Sequence, residues 1–390
     1  MRQISIYKEF IRTLLLIIQT DIHRPTLSLI IFLGFTVCST TIITLLSIPT
    51  GIDDIASTTG LPNVTLALSK SSSDEASSKL SNDEINLIKN LDGISKDEHG
   101  NPQVAAQFIA SANVSSTGYS TRTLIRGVTQ ETISILKKNG INFPNENIEP
   151  RDILAGDQLY GNGLREPILI RNKKFETVYR LAVPGSLWES EVWGEMSTIM
   201  ALYNTNSQAS LLWILTTKDN SADHLQRLAD KDPRLANIRF IGQKAYYKHQ
   251  IDKISDIIKN AAYLISLLMG LASAITIYAS ASLAIEGKSD AIRIWRAMGF
   301  STEIILLSIF TELILIGFAS SLTTSILAVI LLDGRSFGTS TFDQAIYAHF
   351  SISWEVCAAT IFYCSLIAII GGLLPATLIQ KDAFCGTSNR

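Results

Sequence analysis

Charge is scarce in this sequence. Asp, Glu, Lys and Arg make up 17% of its 390 residues, against roughly 25% in soluble globular proteins, so some part of the chain avoids charge. Cysteine is scarce too. Cys38, Cys357, Cys364 and Cys385 are too few and too scattered for a disulfide scaffold or a CxxC metal site, which sets aside structural zinc and redox chemistry. There is no HExxH and no GxSxG, and His23, His99, His224, His249 and His349 are spread along the chain, so the familiar zinc-protease and serine-hydrolase arrangements are excluded. The only Gly-Lys-Ser, Gly287 to Ser289, has Ser282 where a Walker A loop needs glycine, which leaves no cradle for β- and γ-phosphates. The formal net charge of −2 lacks the surplus of Lys and Arg that a nucleic-acid footprint requires. No nucleic-acid partner is expected.

Four stretches hold the missing charge: Leu27 to Ile48, Ala261 to Ile285, Ile304 to Leu332 and Val356 to Ile379, with Glu312 the only charged side chain among them. Each matches the ~20 apolar residues that cross a ~30 Å hydrocarbon layer. One such run could be a buried core helix; four predict a four-span membrane protein in a lipid bilayer. The first is too long for a signal-peptide core and has no small-x-small cleavage site after it. Before it, Ile4, Ile6, Tyr7, Phe10, Ile11, Leu14 and Leu15 recur at helical spacing with Arg2, Lys8, Glu9 and Arg12 on other faces. This pattern fits an amphipathic helix in the interface, or an early start of the first span broken at Pro25.

Basic residues set the orientation. Arg2, Lys8, Arg12 and Arg24 precede the first span, Lys288, Arg293 and Arg296 lie between the second and third, and Lys381 and Arg390 follow the fourth; the 333–355 loop holds only Arg335. Both termini and the 286–303 loop are therefore expected in the cytoplasm, with the large segment after the first span outside. That segment contains no cysteine, which fits folding without disulfides in an oxidising compartment. Strand patterns occur at Asn63 to Leu68, Gln103 to Ala110, Thr121 to Val128, Pro167 to Ile170, Thr177 to Val183, Leu211 to Thr216 and Asn237 to Ile241. Helix patterns occur at Asn82 to Leu91, Ala222 to Ala229, and Thr129 to Asn139 with Gly140 closing it. The expectation is an α+β domain of two lobes divided near 140 to 165. Ser69 to Ser81 has seven serines in 13 residues, and such low hydrophobicity predicts a mobile loop. From Lys244 the apolar spacing of Tyr247, Ile251, Ile254, Ile257 and Ile258 continues into the second span with no Pro or Gly between Gly242 and Gly270, predicting one long helix that rises as a stalk.

The expected division is a cytoplasmic amphipathic helix at 1–25, spans at 26–48, 304–332 and 356–379, an extracytoplasmic domain at 49–243, and a stalk with the second span at 244–285. Short connections at 286–303 and 333–355 and a cytoplasmic tail at 380–390 complete it. One span, a domain of about 200 residues, then three spans resembles the permease subunits of MacB/FtsX-type ABC transporters. The likeness is carried by Glu286, Gly287, Lys288, Ser289, Asp290, Ala291, Ile292, Arg293, Ile294, Trp295, Arg296, Ala297, Met298, Gly299, Phe300 and Ser301, which resemble the family's cytoplasmic pattern ending in apolar-Arg-Ala-apolar-Gly. Leu374, Pro375 and Ala376 with Lys381, Asp382 and Ala383 resemble its C-terminal Pro-Ala segment, and Gly127-Val128 after Arg126 resembles the close of an early strand of its MacB-like periplasmic core domain. The match is not uniform: Gly287, Ser289 and Ala291 interrupt the usual basic run, and Arg293 stands where a small residue is common.

The resemblance implies a non-catalytic permease subunit. A separate ABC-type ATPase subunit would bind ATP and Mg and hydrolyse the nucleotide, a second permease copy would complete a homodimer or heterodimer, and a periplasmic adaptor protein is a further partner the family allows. It assigns Asp290, Ile292, Arg293, Trp295, Arg296, Met298 and Gly299 to an ATPase-coupling helix. The residues themselves support a helix capped by Ser289, with Asp290 in its first turn and Gly299 ending it. Ile292, Trp295 and Gly299 share a face beside Arg293 and Arg296, and Trp and Arg suit a partner's groove. An interfacial helix with Trp295 at headgroup level fits the same composition. Glu312, an intramembrane acid, serves either helix packing or proton coupling. The small residues Gly270, Ala272, Ser273, Ala274, Ala279, Ser280, Ala281 and Ser282 permit close helix approach, between copies or within one. The function expected is coupling of ATP hydrolysis to movement outside the membrane and to substrate export or extraction. A membrane-anchored receptor or an FtsX-like cell-division regulator without transport is the alternative.

Overall fold

Lack of charge becomes helix length. The computed structural model describes residues 10–16, 19, 25–141, 148–205, 208–217, 221–287, 289–341 and 344–385. The four apolar stretches lie in the long helices Pro25–Thr58, Gln243–Gly287, Thr302–Leu331 and Trp354–Cys385, each with a segment long and apolar enough to cross a membrane. The chain divides into two units. One comprises Met1–Thr50, Asp256–Arg335 and Phe350–Arg390; the other comprises Gly51–Ser255 and Ser336–His349.

In the first unit the long helices share one apolar cluster, with Phe35, Cys38 and Ile42 from the first, Ile277 from the second, Leu313 from the third and Cys364 and Ile367 from the fourth. Short hydroxyl side chains join the first and third helices: Ser39 Oγ donates to Thr324 Oγ1 at 2.9 Å, Ser320 Oγ donates to the Phe32 carbonyl at 3.0 Å, and Thr36 Oγ1 lies 2.8 Å from Ser320 Oγ. In an apolar medium such groups need partners inside the protein. Of the small residues in the second helix, Gly270 lies under Tyr363 of the fourth, and a β-carbon there would collide with the tyrosine hydroxyl. Packing within one chain accounts for that glycine. The side chains of Ser280 and Ala281 lie outside the described residues.

Several boundaries differ from expectation. The first helix runs through Pro49 and Gly51 to Thr58. Thr50 lies one residue after the proline, and its Oγ1 donates to the Ser351 carbonyl at 2.7 Å, a side-chain tie where the backbone ladder has lost a donor. The fourth helix continues to Cys385, so part of the expected tail is helical. The 333–355 connection contains a hairpin, described below. Residues 10–16 are helical, while Ile4, Ile6 and Tyr7 of the expected amphipathic helix lie outside the described residues.

The second unit is built on β1 (Val64–Ser69), β2 (Val104–Ser116), β3 (Tyr119–Val128), β4 (Asp152–Gly156), β5 (Ile168–Ile170), β6 (Lys173–Leu181), β7 (Val192–Glu195), β8 (Leu211–Leu215) and β9 (Ile238–Gly242). They form one mixed sheet in the order β3-β7-β4-β6-β5-β2-β8-β1-β9. An additional β2–β3 pairing closes six of the strands into a ring, and β3–β7 and β4–β6 are the parallel pairs. The 13-residue β2 belongs to both parts. Val104–Gln107 pair with β8, and Phe108–Ser116 pair with β3. The lobes are therefore not divided at one point near 140 to 165: the ring is inserted between β1 and β8 of the open sheet.

Local chemistry explains the smaller elements. Ser81 and Glu84 form a reciprocal capping box at the start of helix Asn82–Lys89. Helix Gln130–Lys138 closes at Gly140, φ +83°, with Ile141 N–H donating to the Leu136 carbonyl and Gly140 N–H to Lys137, both at 3.0 Å. That 6→1 and 5→2 pair needs a left-handed residue. The ring is filled by Val114, Ile125, Ile153, Leu159, Ile168, Phe175, Val192 and Ile199, and the open sheet is covered by helices Asn82–Lys89 and Ser221–Ala229 over Leu212, Ile214 and Ile238.

Gly156 ends β4 with its N–H donating to the Glu191 carbonyl at 2.9 Å, and an added β-carbon would fall on the Glu189 carbonyl, which is backbone and cannot swing aside. Gly156→Ala is expected to cost about 1–3 kcal/mol, read as a lower thermal midpoint of the purified full-length protein. An unchanged midpoint contradicts the packing described.

Candidate functional site

The helix Ser289–Ala297 connects the second and third long helices. Its end is fixed by Gly299, φ +97°. Gly299 N–H donates to the Arg296 carbonyl at 3.0 Å and Phe300 N–H to Trp295 at 3.1 Å, the same left-handed closure as at Gly140. Ser301 then starts the third long helix, its Oγ accepting from Ile304 N–H at 3.4 Å. One tight turn reverses the chain.

This turn decides which side chains stay exposed. Trp295 is 7% exposed and packs on Ile305 and Ile309 of the third long helix, with Leu16, Ile292 and Phe300 around it. The expectation that Trp295 projects toward a partner is corrected: the Phe300-to-Trp295 closure folds its ring onto its own chain. Ile292 is partly buried beside it. Outward lie Arg293, Ile294, Arg296, Ala297, Met298 and Gly299, with Ile294 and Met298 each 59% exposed. The presented surface is two arginines interleaved with two flexible apolar side chains. Asp290 lies in the helix backbone; its side chain and that of Ser289 lie outside the described ones. Glu312 is buried in the third long helix at 9% exposure, one residue before the buried Leu313.

A second polar centre, in the other unit, was missed by sequence reasoning. Arg126 of β3 is fully buried. Its Nε donates to Glu191 Oε2 at 2.8 Å and its Nη2 to Glu191 Oε1 at 2.9 Å, a bidentate clamp. Nη1 donates to Gln107 Oε1 of β2 at 2.8 Å, and Nη2 also reaches Glu75 Oε2 at 2.9 Å and Tyr247 Oη, in the second long helix, at 3.5 Å. Trp193 Nε1 donates to Glu191 at 2.7 Å, and the guanidinium sits 5.6 Å and 5.8 Å from the ring centres of Trp193 and Trp213. Trp188 completes a buried aromatic group with them. The available signal was an arginine in the apolar run Leu124-Ile125-Arg126 together with three tryptophans in one domain, a pairing no local periodicity reveals.

Glu75 belongs to the serine-rich stretch expected to be mobile. The stretch is irregular but fastened down: Ser78 Oγ accepts from Ser69 N–H at 3.0 Å, Leu80 N–H donates to the Ala209 carbonyl at 2.8 Å, and Glu75 is buried on Arg126. Low hydrophobicity hid an ion pair. In the ring lobe an open groove of about 790 Å³ is lined by Asp157, Tyr160, Arg165, Glu166, Tyr179 and Arg180, with Arg180 stacked 4.2 Å over Tyr160.

No protein-family model matches the chain, and no curated protein matches it. Two of the solved structures similar to it are extracytoplasmic domains. The extracellular domain of the noncanonic ABC-type transporter YknZ from Gram-positive bacteria is 14% identical, with a TM-score of 0.33, over 46% of this chain and 100% of that one. The periplasmic region of MacB from Actinobacillus actinomycetemcomitans is 13% identical, with a TM-score of 0.34, over 51% of this chain and 93% of that one.

One guanidinium faces two carboxylates. Burial, opposed by Arg126 and reinforced by Glu191, holds the Glu75 carboxyl above the usual carboxylate range. For Arg126 burial opposes the charge, and Glu191 and Glu75 outweigh it, keeping the guanidinium charged. Because the folded state binds the Glu75 proton more tightly than the unfolded chain, this stabilisation is present at low pH. It is lost as pH rises from the ordinary carboxylate pKa through the higher folded value. The thermal midpoint of the wild type is expected to fall relative to Glu75→Gln as pH is raised from about 4. Arg126→Met, which strands both carboxylates, is expected to cost about 3–5 kcal/mol. Parallel pH profiles for wild type and Glu75→Gln would refute the tighter hold of the folded state on the Glu75 proton.

Proposed function

We propose that this chain is the membrane (permease) subunit of an ABC transporter of the MacB/FtsX type. A separate ATPase subunit supplies ATP hydrolysis, and the chain converts it into movement of the unit beyond the membrane. The carrying observation is the Ser289–Ala297 helix between two membrane-length helices, with Trp295 locked onto Ile305 and Ile309 and with Arg293, Ile294, Arg296 and Met298 facing out. A helix held rigidly by its aromatic side chain, offering cations and adaptable apolar groups, fits an acidic-rimmed apolar cleft on a soluble partner. Pushing on this helix pushes directly on the third long helix through the Trp295 contact.

Direction follows from the basic residues flanking the spans, which support a cytoplasmic coupling helix, cytoplasmic termini and an outside domain; the inner membrane of a bacterium is what the resemblance to MacB/FtsX-type permeases implies. The 45-residue second helix, Gln243–Gly287, supports a stalk, since a continuous hydrogen-bonded helix transmits displacement along its axis. Two copies, identical or paired with a related chain, would close together when their ATPases do. Substrate handling is assigned to the outside domain because the polar side chains of the four apolar stretches are short hydroxyls, tyrosines and cysteines, with Glu312 the one charge among them. Glu312, buried among packed helices, is assigned to bundle packing.

The test is co-purification from the native membrane with an ABC-type ATPase subunit, identified by mass and ATPase activity. Arg293→Glu with Arg296→Glu is expected to weaken capture about tenfold or more, since like charges facing an acidic cleft repel. Trp295→Ala is expected to lower the thermal midpoint by several degrees, through a buried aromatic lost from the core. Undiminished capture by the double arginine variant would remove the coupling role.

A further inference from the structure

The connection between the third and fourth long helices is a hairpin, β10 (Ser336–Thr341) and β11 (Gln344–His349), in antiparallel register from Ser336 opposite His349 to Thr341 opposite Gln344. Its neighbours in sequence, Arg335 and Phe350, belong to the unit of long helices, while Ser336–His349 belongs to the unit that holds the large sheet. Three successive residues fasten it there. Tyr347 N–H donates to Ser190 Oγ at 3.1 Å, and Tyr347 Oη lies 2.7 Å from Tyr119 Oη of β3. Ala348 is fully buried, and His349 Nε2 is 2.8 Å from Gln158 Nε2. The Tyr347 ring also packs against the apolar filling of the ring lobe.

The receiving segment, Gly185 to Ser190, has other attachments. Leu187 N–H donates to Thr59 Oγ1 at 2.9 Å, and Thr58 Oγ1 donates to the Gly185 carbonyl, so the segment also holds the end of the first long helix. Ser190 accepts from Thr123 of β3 through its carbonyl. Trp188 runs inward, its ring 5.5 Å from Trp213 and 5.8 Å from Trp193, the two rings flanking Arg126. Six residues thus join the hairpin, the first long helix, a ring strand and the buried charge centre.

We propose that the Ser336–His349 hairpin is a strap, a second mechanical handle on the sheet unit. Through it the third and fourth helices act on the ring lobe at Gly185–Ser190. The second helix, which continues from β9, acts on the open sheet instead. Each lobe then has its own drive, and the two drives meet at the charge centre of Arg126. The strap itself rests on the contacts above; its use as a drive rests on the ATP-coupled reading.

Hydrogen–deuterium exchange on the full-length chain in lipid nanodiscs tests the strap without any partner. In Ser190→Ala with Tyr347→Phe, two hydrogen bonds are lost while the ring stays in place. Amides in 344–349 and 185–190 are then expected to exchange about tenfold faster than in wild type. Tyr347→Phe alone, a milder change, is expected to give an intermediate value. Equal exchange in wild type and both variants would overturn the strap. A second arm adds the ATPase subunit and a non-hydrolysable ATP analogue. The nucleotide-dependent change in 119–128 is expected to shrink by about half or more in the double variant while that in 292–300 persists. A full-size change in 119–128 would overturn the drive. No change at 292–300 in wild type would count against the ATP-coupled reading, and the first arm would still decide the strap.

Discussion

An unpaired charge in hydrocarbon costs more than one residue's share of folding free energy can offset, and this constraint organises the whole chain. It keeps charged side chains out of the four apolar stretches and leaves these to be joined by other means. Among the described residues those means are a shared apolar cluster, the hydroxyl contacts of Ser39, Thr324, Thr36 and Ser320, and the Gly270–Tyr363 fit. Glu312 is the exception, and it is buried.

The sheet unit solves the inverse problem. It places a charge in its own core and surrounds it so completely that the core depends on it. Arg126 touches groups from β2, from the serine-rich stretch, from the segment before β7 and from the second long helix. Elements distant in sequence therefore meet at one cation. A buried cluster of this kind adds little net stability over a well-packed apolar core, but breaking it is costly, so the elements that meet there are held in one arrangement. The Gly185–Ser190 segment lies against that junction and gathers the first long helix and the hairpin.

Much of this was legible. The long helices follow from charge-free runs, most strands from β-branched content or alternation, and the helix ends at Gly140 and Gly299 from glycine after an apolar period. What escaped was set by distance along the chain. β4 and β7 are short, buried throughout most of their length, and give no alternation to count. Closure of the ring depends on β2 pairing with three other strands, and the hairpin in 333–355 is stabilised by Tyr119, Gln158 and Ser190 far upstream. For the Ser289–Ala297 helix, the sequence located the helix and its end, but not that Trp295 turns inward. That follows from the tight turn at Gly299, which brings Ile305 and Ile309 within reach.

The proposed function requires the Ser289–Ala297 helix and the sheet unit to lie on opposite sides of one membrane. Single cysteines at Lys79 and Met298, both exposed positions, can be introduced into a chain whose own cysteines have been replaced, and intact cells treated with a maleimide that cannot enter them. Labelling at 79 with none at 298 until the membrane is permeabilised is the predicted result. Labelling at 298 in intact cells would contradict the topology and the ATPase coupling that depends on it.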